Sequence, residues 1–208
     1  MSGHSFKFPS VFPEAEKRTV SRPRSDGKRK AILDAAFEVF AERGVQNGPT
    51  SAISQKAGVA EGSLFRYFKT KDELLNELYL EMRRDFDRAL KGFPAQAPAR
   101  TRLRYIWDAF LDIGLSRPAR LTVIRQLRAT GKLLKEREQA GGMVLETLKA
   151  TQDAVDGSRF REAPLEFMVL LLRAHAEATI EFIVAHPERE KESRELGFEL
   201  VWRGLAGN

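Results

Sequence analysis

Between Lys28 and Leu90 the apolar residues keep a helical period through four successive segments, two long and two short, with glycines as punctuation. In the first, Lys28 to Arg43, residues Ile32, Ala35, Ala36, Val39 and Phe40 fall at i, i+3, i+4, i+7 and i+8, one stripe of an amphipathic helix that Gly44 stops. Thr50 and Ser51 can cap a short helix carrying Ile53 and Ala57, and Gly58 follows where the chain must turn sharply, with positive φ. A second short helix runs from about Ala60 to Phe68. After Thr70 a longer one places Leu74, Leu78, Met82, Phe86 and Leu90 four residues apart until Gly92-Phe93-Pro94 breaks it, and it reads as a connector between domains.

Further helices are expected at about 100–116, 119–130, 132–154, 163–185 and 188–205, separated by Pro118, Gly131, Asp156-Gly157-Ser158 and His186-Pro187. No stretch alternates like a strand and no internal repeat is present, so the expected fold is all-α. Residues 1–27, with Pro9, Pro13 and Pro23 and no sustained period, read as a flexible arm. Lys17, Arg18, Arg22, Arg24, Lys28, Arg29 and Lys30 in and after it either track phosphates or form a solvated basic tail.

Several function classes fall away on composition. The 208 residues carry no cysteine, which removes disulfides, thiolate metal sites and thiol nucleophiles, and fits the cytoplasm as the expected compartment. Three histidines, with no Gly-x-Ser-x-Gly elbow, no His-Glu-x-x-His and no phosphate loop, make an enzyme unexpected. No metal and no cofactor are expected either. The most apolar stretch, Pro164 to Val184, is interrupted by Glu166, Arg173, His175, Glu177 and Glu181, which argues against a membrane span. A net charge of +6 permits a polyanionic partner without requiring one.

The segment from Thr50 to Phe68 has the anatomy of a helix-turn-helix: short helix, glycine turn, second short helix able to enter a major groove. At 100° per residue, Leu64 and Phe68 lie within about 40° of each other and face inward with Val59, leaving Gly62 and Arg66 outward with Ser63 and Phe65 beside them. An arginine so placed can contact guanine O6 and N7 bidentately, worth about 1–3 kcal/mol of discrimination, and Arg66 is the expected base reader. Gly62 either admits the DNA backbone closely or is an ordinary helix start. Phe65 either rests on a thymine methyl or is partly buried. Glu61 is either a solvated carboxylate at a helix start or an acceptor for cytosine N4.

Ile32 to Gly44, Ala57-Gly-Val59, Gly62-Ser-Leu-Phe-Arg-Tyr-Phe68 and Lys71-Asp-Glu-Leu74 together resemble the N-terminal signature of the TetR family of transcriptional regulators. The resemblance covers about 28–75 and implies an N-terminal three-helix helix-turn-helix DNA-binding domain there. It implies a helical effector-binding and dimerisation domain over 76–208. It also implies that Thr50, Tyr67 and Lys71 contact phosphates, with Ser51 beside them, and that Ser63, Phe65 and Arg66 lie in the groove. Ala60 stands where the family usually has Ser or Thr, and Phe65 where Tyr is commoner. The implied partners are double-stranded operator DNA, a second copy of the chain and a small-molecule effector, with no membrane. The implied activity is that of a ligand-released repressor.

From Leu75 onward no named signature is legible. Leu165, Met168, Leu172, Ile180 and Ile183, then Leu196, Leu200, Val201 and Leu205, are the apolar residues of the last two helices, which in this family form a four-helix bundle with a partner copy. Trp107, Phe110, Leu111, Leu127, Met143, Phe167 and His175 are the candidate lining of an effector pocket, against the alternative of plain core packing. Arg117, Arg120, Arg125 and Arg128 either attract an anionic effector or form a solvated surface. Gly141-Gly142 reads as a kink or hinge rather than a dinucleotide loop. A DNA binder without any small-molecule ligand is the competing reading.

Overall fold

The computed structural model describes residues 23–131, 142–155 and 163–206. All regular structure among them is helical: α1 (Pro23–Arg43), α2 (Thr50–Lys56), α3 (Glu61–Tyr67), α4 (Lys71–Ala89), α5 (Ala99–Ser116), α6 (Pro118–Ala129), α7 (Met143–Asp153), α8 (Leu165–Ala185), a short 3-10 turn at Pro187–Arg189, and α9 (Glu190–Ala206). The all-α class expected from the periodicity is what forms. Helix α1 begins earlier than its apolar stripe, at Pro23, a residue whose fixed φ suits a first turn, so 23–27 are helical rather than part of an arm. Lys17, Arg18 and Arg22 lie outside the described residues, as do 132–141 of the expected 132–154 helix, Gly141 and Asp156-Gly157-Ser158.

Among the described residues two buried clusters organise the fold. The first joins Ile32, Phe37 and Phe40 of α1, Ile53 of α2, Leu64 of α3, Phe68, and Leu74, Leu75 and Leu78 of α4. Val123, Ile124 and Leu127 of α6 pack into the same cluster, so α6 is part of the head's foundation although it lies far along the sequence. The second cluster gathers α5, α7, α8 and α9 around Trp107, Leu148, Leu172 and Phe198. Gly114 lets α5 and α8 touch: a Cβ there would stand 2.3 Å from Ile180 Cδ1. The 75/76 division falls inside α4, whose Leu78, Tyr79 and Met82 pack in the first cluster and whose Phe86 packs against both.

Ionic ties cross the same seams. Arg120 of α6 reaches Asp34 of α1 and Asp85 of α4, lies over the Phe37 ring at 4.6 Å, and shares Asp85 with Arg117 at 3.1 Å. Asp85 and Arg120 are largely buried, a setting in which removing one partner strands the other and costs about 3–5 kcal/mol. Gln126 Oε1 accepts from Val45 N at 3.1 Å, tying α6 to the loop after α1. At the far end of α4, Asp87 accepts from Met143 N at 3.1 Å and so places a carboxylate at the start of α7, where the helix dipole favours it.

Candidate DNA-binding surface and ligand cavity

Helix α3 is held from behind. Leu64 and Phe68 are buried and Val59 is half-buried, as the 100° spacing required. Gly58, at φ +66°, makes the turn between α2 and α3 in the left-handed region that glycine enters freely. Ala60 occupies the N-cap of α3 with no side-chain hydrogen bond, so that end lacks the stabilisation of about 1 kcal/mol that a capping hydroxyl supplies. Arg29 of α1 braces the unit by pairing with Glu77 and lying over the Phe68 ring at 5.3 Å.

With its inner face locked, α3 presents Gly62, Phe65 and Arg66 to solvent, with Ser63 half-buried beside them. Gly62 faces open space, Phe65 is 41% exposed, and Arg66 Nη2 donates to Ser63 Oγ at 2.9 Å, which pre-orients the guanidinium along the helix. Ser51 is exposed at the first turn of α2, and Tyr67 is half-buried. Thr50 lies beside the start of α3, within hydrogen-bond reach of Glu61.

One detail corrects the sequence reading, and two others give partners to residues it named. Pro49, not Thr50, is the N-cap of α2, and Thr50 Oγ1 instead donates to Glu61 Oε1 at 3.3 Å, so Glu61 has a protein partner across the turn. Lys71 Nζ donates to the carbonyls of Gln46 at 2.9 Å and Gly48 at 2.8 Å and lies 5.3 Å from the Phe40 ring centre, clasping the loop before α2 to the start of α4. Among the basic residues assigned to the arm region, Arg29 is committed to Glu77 and Lys30 pairs with Asp34 at 3.1 Å.

In the C-terminal half, a cavity of about 20 Å³ lies between α4, α5, α6 and α8, room for a water rather than for an organic ligand in this conformation. Met82, Phe86, Phe110, Ile113 and Ile180 make its apolar wall, while Arg128, Arg173 and Glu177 supply the charge. Of the residues nominated for a pocket, Phe110 lines it. Leu111 and Leu127 are packed core, and Met143 is half-buried at the start of α7. Trp107 is also core, its Nε1 donating to the Arg194 carbonyl at 3.2 Å.

Phe167 and His175 lie on the outer face of α8, Phe167 54% exposed, and neither reaches the cavity. Sequence reasoning missed Arg173 and Glu177, although both stood out as charges interrupting an apolar helix.

The outer face of α8 and α9 exposes Phe167, Leu170, Phe182, Val184, Leu196 and Leu200. Met168, Leu172, Ile180, Ile183 and Val201, which the sequence grouped with the partner-facing residues, are instead buried inside the chain. Among the described residues no group of acidic and histidine side chains could hold a metal ion, and no helix is long and apolar enough to cross a membrane.

A glycine-turned pair of short helices on a three-helix head, joined by α4 to a larger helical body, defines a helix-turn-helix protein. The chain matches the model of the tetR family of bacterial regulatory proteins over residues 32–78. It is 30% identical over 131 residues to the fatty acid metabolism regulator protein of Bacillus subtilis (strain 168), covering 62% of this chain. The match spans 65% of that relative's length, and shorter shares of others: 36% identity to the transcriptional repressor KstR2 of Rhodococcus jostii (strain RHA1) extends over 26% of that protein.

Among solved structures, a transcription regulator assigned to the tetR family from Shewanella sp. PV-4 superposes with a TM-score of 0.75 at 26% identity, over 87% of this chain and 99% of that one. FadR from Bacillus subtilis in complex with stearoyl-CoA shares the fold at a TM-score of 0.58 and 22% identity, over 86% of this chain and 98% of that one.

Proposed function

We propose that this chain is a ligand-responsive, DNA-binding transcriptional regulator: a cytoplasmic homodimer that reads a palindromic operator through α3 and leaves it when a small molecule binds the C-terminal domain, and so acts as a repressor. The observation that carries this reading is the exposed row Gly62, Phe65 and Arg66, with Ser63 half-buried beside it, on a helix locked from behind by Leu64 and Phe68, within the segment that matches the family model. Arg66 reads a base edge, while Thr50, Ser51 and Tyr67 meet phosphates that set the register. Residues 28–75 then serve as the DNA-binding domain and 76–208 as the effector-binding and dimerisation domain, with α4 shared between them.

The apolar outer face of α8 and α9 supports pairing with a second copy, because a row of exposed Phe and Leu side chains is costly to leave in water. Two recognition helices related by a two-fold axis then require two half-sites. Stearoyl-CoA in the structurally similar FadR supports a small-molecule effector here. The cavity is contracted in the present conformation, so effector entry must part α4, α6 and α8. Those first two helices also floor the head through Leu78, Val123 and Leu127. A coupling of about 1–3 kcal/mol between the two sites suffices for a switch.

Selection of binding sites from random duplex DNA tests the reading. The expected winner is palindromic and bound far more tightly than a scrambled duplex. Recovery of no preferred sequence overturns the operator-reading role.

A further inference from the structure

The charged end of the cavity is badly matched. Glu177 on α8 is approached by three guanidinium groups: Arg128 Nη1 at 3.4 Å from Oε1, Arg173 Nε at 3.8 Å from Oε1, and Arg125 Nε at 3.7 Å from Oε2. Charge-assisted contacts of this kind close to about 2.7–2.9 Å when the geometry allows, and none does so here. Arg125 finds a second carboxylate in Glu181 at 3.2 Å, on the solvent side. Among the described residues Arg128 and Arg173 share Glu177, with Tyr79 a further partner of Arg128, and all three charged side chains are mostly out of water.

Arg128 is the more deeply placed. Among the described residues its Nε is a buried donor without an acceptor, its guanidinium lies over the Tyr79 ring of α4 at 5.6 Å, and burial followed by repulsion from Arg173 pulls its pKa below the usual range. A buried donor on a cation that lacks a full complement of acceptors is destabilising, and an arriving anion supplies what is missing. Directly beside these groups the wall is apolar: Met82, Phe86, Phe110, Ile113 and Ile180.

We propose that this cavity takes an amphiphile with one anionic head group, held between Arg128 and Arg173 in the place Glu177 now fills poorly, and with an apolar body against Phe86, Phe110 and Ile180. The inference rests on the small-molecule effector of the preceding section and names its chemical class. It also gives that effector a lever. Arg128 closes the C-terminal end of α6, the same helix whose Arg120 holds Asp34 and Asp85 and whose Gln126 holds the loop after α1. An anion that draws Arg128 off Tyr79 acts on α6 and α4 together, and through them on the head.

The test uses the full-length protein, its selected operator duplex, and four probes with a common tail: octanoate, octyl phosphate, 1-octanol and octylammonium. Binding is followed calorimetrically and operator release by fluorescence anisotropy. At least one of the two anions should bind about tenfold or more tightly than 1-octanol, raise the melting temperature and release the operator, with octylammonium weakest. Arg128→Met and Arg173→Met should each remove most of the anion's advantage while binding of 1-octanol changes by less than about twofold. Each variant is checked for a cooperative melt, and either one alone carries the test if the other does not fold.

Equal binding of anions and 1-octanol, or an anion preference that survives both substitutions, overturns the anionic class. If 1-octanol releases the operator and the anions do not, the effector role stands and this inference falls. If the protein binds its operator and no probe binds or releases it, both fall.

Discussion

Helix α3 and the pair α8 and α9 each leave a row of side chains uncovered, and the two rows are opposite in character. On α3 the inner residues Leu64 and Phe68 are sealed, and what remains outside is a guanidinium, a hydroxyl, a ring and a bare backbone. On α8 both faces are apolar: Met168, Leu172 and Ile180 enter the core while Phe167, Leu170 and Phe182 face water. A polar row with one oriented arginine suits a surface rich in acceptors, as the major groove is; an apolar row suits another apolar row. Operator reading by a dimer needs both, so each can be removed while the other is left intact.

Removing the apolar row carries the largest expected effect. Leu196 and Leu200 are each 57% exposed in the single chain, so Leu196→Glu combined with Leu200→Glu leaves the protomer core untouched. A two-fold pairing would bring four new carboxylates into an apolar contact, and at about 1.5–3 kcal/mol lost for each leucine removed from burial the pairing should not survive. The expected outcome is a protein that keeps its helical circular dichroism, sediments as a monomer and loses more than about a hundredfold in affinity for the palindrome. A variant that remains dimeric breaks the assignment of this face to self-association.

Removing the polar row's reader is the next largest. Arg66→Ala deletes an exposed side chain that, among the described residues, bonds to Ser63, so stability should hold while discrimination at one base pair of each half-site falls by about 1–3 kcal/mol. Competition between the operator and duplexes substituted at single positions measures it. Equal losses on operator and scrambled DNA would show Arg66 to be a phosphate contact instead.

These two rows also differ in how far the sequence foretold them. A seven-residue helix with one apolar stripe has one inward solution, so Leu64, Phe68 and the positive φ of Gly58 followed from spacing alone. Helix α8 is apolar nearly all round, and periodicity cannot then tell the face that enters the core from the face that does not. That ambiguity sent Phe167 and His175 to a pocket and Met168 and Ile183 to an interface, each the reverse of where the structure puts it. Trp107, Leu111 and Leu127 have the composition of a pocket lining and of a core equally, and a void between four helices depends on contacts far apart in sequence. Arg173 and Glu177 were conspicuous in an apolar stretch, but what they face is set by α6. Thr50 went to Glu61 rather than to its own helix for a similar reason, since Pro49 took the cap and the turn at Gly58 brought the carboxylate near.

The smallest expected effect concerns a residue that belongs to the head yet works inward. The family resemblance makes Lys71 a phosphate contact, whereas the structure gives its ammonium two carbonyl acceptors at the loop before α2 and the face of Phe40. If that clasp is its role, Lys71→Ala costs stability, about 1–3 kcal/mol for hydrogen bonds made by a charged donor, visible as a lower urea midpoint. Binding to operator and scrambled duplex would then weaken only through the loosened loop, and the slope of log affinity against log salt would stay as in the parent protein. If Lys71 turns to a phosphate when DNA arrives, the salt slope should fall by about one unit per half-site on every duplex. The slope therefore separates the two roles even though both lower affinity, because counterion release counts neutralised phosphates and is indifferent to how firmly the loop is held.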